Sequence, residues 1–112
     1  MTTKWDELPD TIKTFMTALD AQEVDRVLAT LTPDALVTDE GHDYQGAEEI
    51  GKWLANAASE YTYTTEFTGA TTTDAGVDVG QHLEGDFPGG VADLHYRFTL
   101  DGGSISRVVI EP

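Results

Sequence analysis

Hydrophobic spacing changes character once along this 112-residue chain, near residue 60. Before that point apolar residues recur with the period of a helix; after it they alternate with the two-residue period of a strand. Leu8, Ile12, Phe15, Met16 and Leu19 fall on one helical face, and Pro9 suits the first turn, where no N–H is needed. Asp20-Ala21-Gln22-Glu23 has the spacing of a capping box. It predicts a second helix carrying Val24, Val27, Leu28 and Leu31, stopped by Thr32-Pro33-Asp34. Ala35 to Asp39 reads as a short strand, Gly41 to Gly46 as a loop, and about Ala47 to Ala58 as a third helix burying Ile50, Trp53, Leu54 and Ala57.

Downstream, Tyr61, Tyr63, Thr65 and Phe67 share one face of a strand rich in threonine and aromatics. Turn signals at Asp74-Ala75-Gly76, Phe87-Pro88-Gly89-Gly90 and Asp101-Gly102-Gly103 cut the remainder into three strands. These run from Val77 to about Asp86, Val91 to Leu100, and Ser104 to Ile110. Helices first and hairpin-linked strands after them imply an α+β fold, a curved antiparallel sheet wrapped around three N-terminal helices. The length and the lack of repeats predict one domain over residues 1–112.

A four-residue turn at Phe87 to Gly90 sets Asp86 opposite Val91. Counting back pairs Leu83 with Leu94, Gln81 with Tyr96, Val79 with Phe98 and Val77 with Leu100, a mostly apolar face for the helices. The other face then pairs Glu84 with Asp93, His82 with His95, and Gly80 with Arg97. Like charges directly opposite repel. That face therefore calls for neutralisation by Arg97, protonated histidines, a metal ion or a second subunit; a solvated or dimer-facing polar sheet is the simpler expectation.

Six Lys plus Arg against 21 Asp plus Glu give a net charge of −15, a field that repels phosphate backbones and anionic lipid. Nucleic acid and membrane surfaces are excluded as expected partners. The absence of cysteine removes disulfides and thiolate chemistry. No apolar run approaches the roughly 20 residues of a membrane span, and Met1 to Leu8 carry no signal pattern, so a cytoplasmic location is expected. No nucleophile elbow or glycine-rich phosphate loop is present, and neither a cofactor nor a metal is expected.

Several runs resemble a known group. They are Phe15-Met16-Thr17-Ala18-Leu19-Asp20-Ala21, Pro33-Asp34-Ala35-Leu36-Val37-Thr38-Asp39, and Tyr44-Gln45-Gly46 before Ile50-Gly51-Lys52-Trp53-Leu54. With His95-Tyr96-Arg97-Phe98 and Asp101-Gly102-Gly103-Ser104-Ile105, they resemble the nuclear transport factor 2-like superfamily, in its SnoaL-like and ketosteroid-isomerase-like branch. The resemblance implies a cone-shaped, cystatin-like fold around an apolar pocket, often dimeric, hosting isomerases, cyclases, dehydratases and non-catalytic binders.

It also implies a general base at Asp39, whose plain alternative is a strand-end carboxylate capping the Gly41 turn or solvated. The positions matching the isomerases' two oxyanion donors hold Phe15 and Leu94, which donate nothing. Trp53, Tyr63, Gln81 and Tyr96 are the other polar-tipped candidates for the pocket wall; Tyr96 is the best remaining hydroxyl donor, and the candidate catalytic pair is Asp39 and Tyr96. Phe15, Leu31, Val37, Trp53, Phe67, Leu83, Leu94 and Phe98 are expected to line the pocket for a small apolar ligand. His42 overhangs the pocket mouth or is solvated. Three functions stay open: cofactor-free proton transfer, of isomerase or cyclase type; binding of a small apolar ligand without turnover; or a dimeric interaction domain using the polar sheet face, with a homodimer through that outer face expected.

Overall fold

Pro9 stands just outside the first helix as its cap, and α1 (Asp10–Asp20) buries Ile12, Phe15, Met16, Ala18 and Leu19 on the expected stripe. The fold is a computed structural model that describes residues 2–56, 61–74 and 76–112. Asp20 ends α1 instead of starting the next helix. Gln22 adopts φ +58°, and the N–H groups of Gln22 and Glu23 return to Leu19 O and Ala18 O, the two bonds of a Schellman cap. Asp20 accepts instead from Thr65 Oγ1 at 2.8 Å.

The second helix, α2 (Val24–Ala29), is shorter than its apolar stripe suggests, and Leu31 belongs to a strand. Pro33 disfavours helix in the residue before it. Ile105 N–H donates to Thr30 O at 2.8 Å, drawing the chain into the sheet at Leu31, ahead of the expected Ala35. The sheet has β1 (Thr2–Thr3), β2 (Leu31–Asp39), β3 (His42–Gln45), β4 (Tyr63–Thr72), β5 (Val77–Gly85), β6 (Val91–Asp101) and β7 (Ser104–Glu111), in the order β1-β4-β5-β6-β7-β2-β3. The α+β class is as expected. One pairing departs from the antiparallel rule, because β2 runs parallel to β7 with Val37 beside Val108.

The expected loop from Gly41 to Gly46 is largely strand. Glu40 and Gly41 take φ +54° and +78°, forming a two-residue turn that pairs Asp39 with His42 and folds β3 back on β2. Then α3 (Gly46–Ala55) buries Ile50, Trp53 and Leu54. Ala57 and Ala58, expected at its end, and Ala75 of the next turn lie outside the described residues.

The β5–β6 register is corrected by two residues. His82 pairs with Asp93, Gly80 with His95, Gln81 with Leu94, Val79 with Tyr96 and Val77 with Phe98. The turn closes on Gly85 and Gly90, one residue earlier than expected, through Gly85 N–H to Gly90 O at 3.0 Å. Asp86 is unavailable for cross-strand pairing because it bonds Thr62 twice, N–H to Thr62 O at 3.1 Å and Oδ1 from Thr62 N–H at 2.8 Å. A two-residue slip preserves which face each side chain occupies. The apolar face therefore meets the helices as expected, but the histidines are not opposite one another. No described helix is long and apolar enough to cross a membrane.

Candidate functional site

Asp39 is held from two sides. It is the last residue of β2, fixed by the Glu40-Gly41 turn, and its Oδ2 accepts from Trp53 Nε1 of α3 at 2.9 Å. The indole is buried and lies nearly parallel to the Tyr44 ring of β3, centroids 6.0 Å apart. Strand, hairpin and helix thus converge on one carboxylate.

That carboxylate stands on the wall of a cavity of about 320 Å³ between α1, α3 and the strands. Of the residues expected there, Asp39, Trp53, Leu83, Leu94 and Tyr96 line it. Leu19, Ala92 and Ile110 add apolar wall, and Glu40, Tyr61, Tyr63, Phe87 and Pro88 complete it.

Tyr96 of β6 is buried, and burial pushes its phenol well above the ordinary tyrosine value, with Tyr63, Asp20 and Asp39 adding to the rise. Burial also raises Tyr63, helped by the charges of Asp20 and Asp39. Both phenols are neutral donors near neutral pH. No described residue hydrogen-bonds either hydroxyl.

The other expected lining residues do not reach the cavity. Phe15 and Phe98 meet edge to face with centroids 5.2 Å apart, and with Val37 they fill the opposite end of the space under the sheet. Leu31 pairs with Ile105 near the start of β2, and Phe67 packs its ring edge to face on Trp5, at 5.6 Å. Gln81 is buried away from the cavity, its Oε1 without a partner among the described residues. His42 is exposed across from Asp39 and does not line the cavity.

As cavity residues, sequence reasoning missed Leu19, Glu40, Tyr61, Phe87, Pro88, Ala92 and Ile110. The available signal was a phenylalanine inside a Pro-Gly-Gly turn, where solvation alone gives an aromatic no reason to be.

The outer face of β5–β6 is wired differently from expectation. His82 Nδ1 is 2.7 Å from Asp93 Oδ1 and its Nε2 is 3.2 Å from Glu84 Oε2. Carboxylates only accept, so both bonds require the imidazolium. The hydrogen bond to Asp93 is the main cause that raises the His82 pKa. His95 Nδ1 bonds Asp78 Oδ1 at 2.9 Å, and Arg97 joins Asp78 to Glu111. His95 and Arg97 thus share Asp78, while His82 has Asp93 and Glu84, and among the described residues no group of three or more metal-ligating side chains has the geometry to hold an ion.

A model of the SnoaL-like domain matches residues 12–108. Among solved structures, a candidate polyketide cyclase from Sinorhizobium meliloti is 31% identical, with a TM-score of 0.90 over 97% of this chain and 100% of that one. A Catenulispora acidiphila protein of ketosteroid isomerase-like fold, in complex with trimethylamine, is 15% identical with a TM-score of 0.80, covering 94% of this chain and 86% of that one. A Mycobacterium tuberculosis protein in complex with estradiol-17β-hemisuccinate is 13% identical with a TM-score of 0.74, covering 91% and 90%. No protein of curated function matches the chain.

Proposed function

The chain belongs to the SnoaL-like domain family, and from that premise we propose that residues 1–112 form one such domain whose cavity moves a proton on a small, largely apolar ligand, without a cofactor. The observation that carries this reading is the company Asp39 keeps: a carboxylate and two neutral phenols, neither hydrogen-bonded among the described residues, share the wall of one cavity. In the proposed step, Asp39 takes a proton from the carbon next to a ligand carbonyl. The C–H electron pair moves into the enolate, whose oxygen receives a hydrogen bond from Tyr96 or Tyr63. Asp39 then returns the proton to another carbon of the enolate system, and the protein ends as it began. Trp53 acts as a positioning residue, fixing one carboxylate oxygen through Nε1.

Complexes of two structural relatives, with an estradiol derivative and with trimethylamine, support a small-molecule occupant. Binding without turnover is the second reading, favoured by Phe15 and Leu94, which offer no donor where the isomerases place theirs. Deuterium exchange into small cyclic ketones in heavy water separates the two. The expected result is exchange that falls at least a hundredfold in Asp39→Asn while thermal stabilisation by the ketone persists. Exchange undiminished in that variant rejects Asp39 as the base. Self-association through the outer sheet face belongs to the same proposal.

A further inference from the structure

The aromatic residues of the cavity are unevenly placed. Tyr61, just before β4, Tyr63 at its start, and Phe87 of the β5–β6 turn meet at one corner. The Phe87 centroid is 6.3 Å from each tyrosine ring, with interplanar angles of 62° and 80°. Rings set at such angles wall a space on several sides with π-systems.

The charged residues of the lining are Asp39 and Glu40, both acidic, with no Lys, Arg or His among them. The undescribed residues Met1, Ala57, Ala58, Ser59, Glu60 and Ala75 bring no basic side chain either. Asp20 lines an adjoining groove that shares Leu19, Tyr61 and Tyr63 with the cavity. The raised Tyr63 phenol registers the same negative surroundings, since the charges of Asp20 and Asp39 follow burial among its causes.

We propose that the corner formed by Tyr61, Tyr63 and Phe87 receives an organic cation, the protonated or quaternary amine of the cavity's ligand. The proposal rests on reading the cavity as a small-molecule site and adds the charge of what enters it. An aromatic face attracts a cation through the ring quadrupole, more strongly where water is excluded. Asp39 and Glu40 supply the opposite charge. An anionic ligand meets two carboxylates and no counter-charge on the wall, so a carboxylic acid of the same shape is rejected.

Calorimetric titration with three probes of one shape tests this: choline, its uncharged carbon isostere 3,3-dimethyl-1-butanol, and the anion 3,3-dimethylbutanoate. Choline is expected to bind at least tenfold more tightly than the alcohol, and the anion not at all. Phe87→Leu and Tyr61→Leu, checked for folding by thermal melts, should each shrink that preference several-fold, weakening choline more than the alcohol. Equal binding of choline and alcohol, or a preference that survives both substitutions, overturns the cation site and leaves the pocket reading intact. Failure of both choline and alcohol to bind also overturns it, and the ketone exchange assay then judges the pocket reading separately.

Discussion

At one end of the space beneath the sheet, Ile12, Phe15, Val37, Ile105 and Val108 are entirely withdrawn from solvent. At the other end, the same layers of the structure present a carboxylate, phenols and open volume. The inner face of β6 passes from one regime to the other. Phe98 is packed against Phe15, Tyr96 is buried with no hydrogen-bond partner for its hydroxyl among the described residues, and Leu94 lines the cavity. From Leu94 to Phe98 the strand rises roughly 13 Å. Stability is concentrated where the rings interlock, and the candidate chemistry sits where packing stops. Substitutions at the two ends should therefore read out on different instruments.

Phe15→Ala should do the most damage. It removes a fully buried ring and leaves a void against Phe98, with an expected loss of about 3–5 kcal/mol in denaturant unfolding. A loss below about 1 kcal/mol would mean that the packed end is not what holds the fold. Tyr96→Phe is the counterpart at the open end. Its hydroxyl has no described partner, so stability should change by less than about 1 kcal/mol. Ketone exchange, however, should fall on the order of a hundredfold if this hydroxyl meets the enolate oxygen. A variant that loses stability and keeps exchange would invert the comparison.

The smallest effect is expected on the outer face. His82 has a folded pKa raised chiefly by its bond to Asp93, so its contribution is fully present below the unfolded value near 6.5. That contribution disappears as pH rises through the higher folded value. The stability gap between the protein and His82→Gln should accordingly be widest near pH 6 and close towards pH 9, as followed by thermal melts. A gap that widens with pH would show that the neutral imidazole carries the contact. Light scattering on the same variant reports whether this face also joins two copies.

Much of this division was legible in the residues. Periodicity alone located α1, α3 and β4 to β7, and it assigned the correct face to Leu83, Leu94, Tyr96 and Phe98. A period of two fixes which side a residue takes but not which residue stands opposite. The opposite residue depended on Asp86 bonding Thr62, a non-local contact with no local signature. The parallel β2–β7 pairing was hidden for the same reason, since its partners lie some seventy residues apart. In β3, Glu40 occupies a left-handed position that Asn or Asp more commonly announces, so the turn read as a loop. Which inner-face residues border empty space is a matter of volume. The interlocking of Phe15 with Phe98 decided it, and no pattern in the chain displays that.

The bond between Trp53 and Asp39 has an optical consequence. The chain has two tryptophans, and Trp5 lies elsewhere, against Phe67. An indole whose N–H rests on an ionisable carboxylate emits according to the charge and polarity beside it. With Trp5 silenced by substitution to phenylalanine, the remaining emission becomes an intrinsic gauge of what occupies the cavity. The protein thus carries its own indicator dye, fastened to the side chain proposed as the base.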